Sequence, residues 1–162
     1  MFTNQSGAYG LAVDGDTGPS VVMSFRVAES SSAATTINKG QVVTIGTDQR
    51  VSAGAAVTGM AVGIATETVT IPDTDAPTTT GFTNDPQYRG PREISVCVFG
   101  LAEAQVSGTT VAAGIAVSTD ANGRVTTAGT ASGNYTVGRA VESTAGTAGD
   151  FKTIWVDPAR VP

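Results

Sequence analysis

Val62–Glu67 reads VGIATE and Val137–Glu142 reads VGRAVE. Each stretch closes a longer run that opens Gly-x-x-Val-Thr/Ser, at Gly40–Thr44 and again at Gly114–Ser118. Each run also carries Arg-Val midway, Arg50-Val51 and Arg124-Val125. Gly40 and Gly114 lie 74 positions apart, as do the two arginines, whereas the closing motifs lie 75 apart, so one inserted residue separates the copies. Self-similarity over such a span marks one supersecondary unit used twice.

Within the first copy, Gln41–Ile45 and Arg50–Ser52 flank Gly46-Thr47-Asp48, a hairpin signal. Within the second, Ile115–Ser118 and Arg124–Thr126 flank Asp120–Gly123, where Asn122-Gly123 is expected to supply the positive φ angles of a primed turn. The Val-Gly-x-Ala-x-Glu segment reads as a third strand. Its glycine is expected to mark a bulge or a close backbone approach.

Outward from the copies, Val21, Met23, Phe25 and Val27 alternate with smaller or polar residues, the period of a half-buried strand. Ile94, Val96 and Val98 form one face of another strand, with Ser95, Cys97 and Phe99 on the other, and Leu101–Val106 continues it or pairs with it. Phe151–Val156 is apolar on both faces, as expected of a strand that is central or sealed by a neighbour. Residues 1–20 are rich in glycine with isolated Phe2, Tyr9 and Leu11, and read as an extended arm. Residues 72–93 hold Pro72, Pro77, Pro86 and Pro91, which remove backbone donors, so this stretch reads as a long loop. The expected architecture is mainly β: a compact small β-barrel-like or β-sandwich-like domain over 21–162 with two similar hairpin-plus-strand units. The 72–93 loop is inserted in it, and the extended N-terminal arm precedes it.

Composition agrees. The chain has 20 Val and 7 Ile against 2 Leu, and β-branched side chains favour pleated strands. Leu, Ile, Val and Phe together make only 34 of 162 residues, so the core is thinly filled and association with a partner or with further copies is expected. Net charge is −5 with just two lysines, which argues against a nucleic-acid footprint. No apolar run approaches the roughly 20 residues that span a bilayer, and Met1–Gly10 lacks the pattern of a signal peptide. Cytoplasmic synthesis is the expectation, with a single cysteine and no intrachain disulfide.

Reactive chemistry finds little support. The chain has no histidine, which removes the commonest general base and imidazole metal sites. Cys97 sits inside an alternating strand and reads as a buried small hydrophobe. Asp14-Gly15-Asp16-Thr17-Gly18 resembles the start of a calcium loop but lacks the downstream glutamate, and reads as a plain turn. Glu67 and Glu142 occupy matching repeat positions and read as strand-end carboxylates rather than a catalytic pair. No catalytic residue, cofactor or metal is expected. Trp155 and Tyr88 are aromatic enough to stack on a sugar, although a lone Trp in an apolar strand belongs more often to a core or interface.

Taken together, GQVVTIGTDQRVSAGAAVTGMAVGIATETV, AAGIAVSTDANGRVTTAGTASGNYTVGRAVEST and the closing FKTIWVDP resemble the small capsid decoration, or cement, proteins of tailed bacteriophages. The resemblance covers residues 39–71 and 94–157. It implies a structural protein, made in the host cytoplasm, that binds the outer surface of an assembled head, commonly as a homotrimer, and ties neighbouring major capsid protein subunits together. The arm at 1–20 and the insert at 72–93 stand outside it. Expected contact residues with the capsid or between subunits are Phe2, Tyr9, Leu11, Phe82, Tyr88 and Trp155. The competing expectations are another virion β domain, in a fibre or the tail, and a carbohydrate-binding module using Trp155 and Tyr88.

Overall fold

The computed structural model describes residues 10–14, 18–28, 34–54, 60–71, 93–129, 131 and 134–161. Among them every regular element is a strand: β1 (Gly10–Asp14), β2 (Gly18–Arg26), β3 (Thr35–Ile37), β4 (Val42–Ile45), β5 (Val51–Ala53), β6 (Ala61–Ala65), β7 (Val69–Ile71), β8 (Glu93–Gln105), β9 (Ala116–Thr119), β10 (Val125–Thr127), β11 (Tyr135–Ala140) and β12 (Phe151–Arg160). Ten of them form one antiparallel sheet running β10-β9-β11-β12-β8-β6-β4-β5, with β2 also on β8 and β1 on β2; β3 and β7 form a small second sheet. The mainly β expectation holds, and the sheet is not closed into a barrel.

The duplication extends beyond the two motifs. In unit one β4 pairs with β5 and β6, and β6 pairs with the N-terminal part of β8. In unit two β9 pairs with β10 and β11, and β11 pairs with β12. Backbone bonds repeat at the same places. Gly40 N donates to Ala65 O at 2.8 Å and Gly114 N to Ala140 O at 2.7 Å. Ala28 N donates to Val51 O at 2.7 Å and Ser107 N to Val125 O at 2.9 Å, next to single parallel bridges from Val27 to Val51 and from Val106 to Val125. Each unit therefore curls until its first strand just touches its second hairpin strand, and stops short of a ladder. β8 serves both units, as the last strand of the first and the opening strand of the second.

The repeated glycine has a steric cause. Gly63 and Gly138 adopt φ 158° and 156°, beside register shifts in β4·β6 and β11·β12. A Cβ on Gly63 would run into the Cys97 carbonyl, and one on Gly138 into the Trp155 carbonyl. This is the close backbone approach expected from the motif. The hairpin turns differ from expectation. Of the Asn122-Gly123 pair only Gly123 has positive φ, 74°, and Gly123 N donates to Asp120 O at 3.2 Å. The first copy places Gln49 there, at φ 61°, with the same bond to Gly46 O at 3.1 Å. Both are turns that end in one left-handed residue rather than two-residue primed turns, because the loop is longer.

Valine-rich strands with two buried faces separate two cores. Val43, Val51, Ala65 and Val96 join one cluster with Val27, Ile37, Val69, Ile71 and Ile94 inside unit one. Their sequence neighbours Val42, Ile64 and Cys97 point the other way and join Val117, Val125, Val137, Ile154 and Val156 of unit two. Phe151–Val156 is central, between β11 and β8, as its apolar pattern requires. Part of the stretch read as an arm is paired: Gly10↔Val22 through Asp14↔Gly18 form a β1–β2 ladder.

Candidate interaction surface

The groups that carry reactive chemistry elsewhere serve structure here. Cys97 is 1% exposed, its Sγ lies 3.4 Å from Phe99 O, and burial pushes its thiol up from the usual range. A buried thiol kept protonated is a poor nucleophile. Glu67 Oε1 accepts from Ser95 N at 2.8 Å, and Glu142 Oε1 accepts from Thr153 N at 3.0 Å. Each carboxylate thus ties the end of a third strand to the strand beside it, the strand-end role read from the repeat. The Thr153 N–H chiefly holds the Glu142 carboxyl below its ordinary value; desolvation opposes it, and the Thr153 hydroxyl and Lys152 add lesser help. No cluster of potential metal ligands occurs among the described residues.

What the geometry offers is surface, and the duplication shows where. Directly opposed residues on adjacent strands share a sheet face. In unit one the row Val42–Ile64–Cys97–Val22 crosses β4, β6, β8 and β2. Its first three members are essentially sealed, because this face packs against the interior of unit two. The equivalent row in unit two is Ala116–Arg139–Trp155–Leu101, across β9, β11, β12 and β8. That row is open: Trp155 is 37% exposed, Arg139 is exposed, and Ala116 and Leu101 are half-buried. Phe99, 47% exposed, meets the Trp155 ring edge-on with centroids 5.3 Å apart. Half-buried Val21 lies opposite Phe99 and extends the patch onto β2.

A second open region lies at the mouth of unit one. Phe25, Val62 and Val98 are only partly buried and line an apolar groove of about 450 Å³, flanked by Met60, Tyr135 and the β12 end at Pro158–Arg160. Their counterparts in unit two, Ala104, Val137 and Val156, are fully buried. They are covered by the Val42–Ile64–Cys97 row, which belongs to the same core cluster.

Of the expected contact residues, Trp155 lies at the centre of the open face. Leu11 falls in β1, and Phe2, Tyr9, Phe82 and Tyr88 lie outside the described residues. Sequence pattern alone does not single out Phe99 or Arg139. The reason for Phe99 is a register shift between Val21 and Val22, where Cys97 pairs with Val22 but Phe99 with Val21. The bulge turns Cys97 inward and Phe99 outward, although simple alternation puts them on one face.

Among the described residues, then, Glu67 and Glu142 brace strands, while Phe99, Phe151 and Trp155 meet solvent. The family model described as phage cement protein matches residues 91–157, from just before β8 into β12, which is unit two with its open face. The match is to the phage capsid cement family that the sequence resembles. No curated protein matches the chain.

Proposed function

We propose that this protein is a decoration protein that binds the outer surface of the phage head as a homotrimer and stabilises contacts between major capsid protein subunits, after synthesis in the host cytoplasm. The observation that carries the reading is the open Trp155–Phe99 face on the segment that matches the cement family. A solvated aromatic pair on a rigid sheet loses little side-chain entropy on docking and buries a large apolar area.

Residues at the N-terminus contribute a second set of contacts, with Phe2, Tyr9 and Leu11 as anchors, and Phe82 and Tyr88 act from the proline-rich stretch. One arm binds weakly because ordering it costs roughly 2–5 kcal/mol. Three arms on a trimer turn later contacts into intramolecular ones and raise avidity about 10²- to 10⁴-fold. The test is co-sedimentation and imaging of purified protein with undecorated heads. Stoichiometric density on the capsid lattice is expected, and removal of residues 1–9, which spares the β1–β2 ladder, is expected to lower occupancy. Protein that leaves heads bare at saturating concentration would end this reading. Trp155 quenched by simple sugars would instead favour the carbohydrate-binding alternative.

A further inference from the structure

We infer that copies of this chain join head to tail, with the Trp155 face of one seated in the Phe25–Val62–Val98 groove of the next. The precedent lies inside the chain. Unit one presents the row Val42–Ile64–Cys97 to the mouth of unit two, and that junction fully buries Ala104, Val137 and Val156. Hydrogen bonds to the turn backbone lock it: Val42 N donates to Gly123 O at 2.7 Å, and the Gln41 side-chain Nε2 donates to Asn122 O at 2.7 Å.

The two described units make one such junction and leave one row and one mouth outside it. In unit two the equivalent row, Ala116–Arg139–Trp155, is uncovered among the described residues. In unit one the equivalent mouth keeps Phe25, Val62 and Val98 half-buried around the groove, whose far wall is Tyr135 and Pro158–Arg160 of unit two. The free row carries Ala116 in place of Val42, Arg139 in place of Ile64 and Trp155 in place of Cys97. Its larger ring matches a mouth that is an open groove of about 450 Å³ rather than a closed core. A second copy is therefore the occupant whose fold already fits this face.

Row and mouth are different patches, so the contact is heterologous and either closes into a ring or continues as a filament. A three-membered ring is the homotrimer proposed above; the inference rests on that reading only for self-association and is independent of capsid attachment.

The experiment uses full-length protein and mass measurement by size exclusion with light scattering. Trp155→Glu destroys the row and leaves the mouth. Met60→Glu, at an exposed position on the groove rim, destroys the mouth and leaves the row. Phe99→Glu provides a second row variant, and thermal melts verify that each variant folds. Wild type is expected to be oligomeric and each variant monomeric. An equimolar mixture of Trp155→Glu and Met60→Glu is expected to give species of twice the monomer mass and nothing larger, because just one intact row and one intact mouth remain. A monomeric wild type, variants that stay oligomeric, or a mixture with no dimer would each overturn the inference. Head binding by such a protein would leave the decoration role standing.

Discussion

Cys97 and Trp155 hold the same position in two copies of one unit, each with its carbonyl against the repeated glycine, yet one is sealed and the other faces solvent. The difference comes from the order of the units along the chain. Unit two covers Cys97, and among the described residues no further unit covers Trp155. Neighbouring positions on β12 should therefore respond differently to truncation. Ile154→Ala removes a fully buried side chain and is expected to cost about 2–5 kcal/mol in chemical denaturation. Trp155→Ala loses chiefly its edge contact with Phe99 and should cost about 0.5–1.5 kcal/mol in the monomer, while self-association is lost. Equal losses of stability would show that the face is covered within one chain.

Cys97 should report unfolding rather than reactivity. Burial and the raised thiol pKa keep the thiolate scarce at neutral pH, so labelling by a thiol reagent is expected to proceed only as fast as the domain opens. Rapid labelling under native conditions would contradict the packing of unit one on unit two.

Glu142 gives the fold an acid-sensitive brace. Its folded pKa lies below the ordinary value, so the charged form favours the native state. That contribution is complete above the unfolded pKa, and it fades as pH falls through the folded one, below the ordinary carboxylate value of 4.5. Melting temperature should fall on acidification through that range, and Glu142→Gln should flatten part of the fall. An identical pH profile for the variant would show that the bond to Thr153 N does not favour the charged form.

The paired turns allow a swap. Gln49 holds a left-handed conformation that its counterpart Gly123 adopts without steric cost. Gln49→Gly is expected to stabilise the domain by about 0.5–1 kcal/mol, since the relief of strain exceeds the added freedom of the unfolded chain. By contrast Gly138→Ala should cost upwards of about 2 kcal/mol, because its Cβ has no room beside the Trp155 carbonyl. Denaturation midpoints for the two variants that move in the same direction would refute this account of the turn and the glycine.

Much of this fold is legible from spacing. The Gly40 and Gly114 copies, the hairpins behind them and the glycine of the third strand all come from a pattern that chemistry enforces locally. So does the central place of β12, because Phe151–Val156 is apolar on both faces. What local pattern does not encode is the bulge opposite Val21 and Val22, which depends on a partner strand more than 70 residues away. It reverses the facing of β8 between Cys97 and Phe99, and with it the composition of the open patch. The same limit applies to Arg139, whose position beside Trp155 is a matter of register between β11 and β12.

The open face carries the chain's sole tryptophan, so its fluorescence reports contact at that face. Emission from Trp155 should lie to the red in dilute protein, shift to the blue as concentration drives copies together, and remain blue on decorated heads. A maximum that stays constant while light scattering records assembly would show that the Trp155 face is no part of the contact.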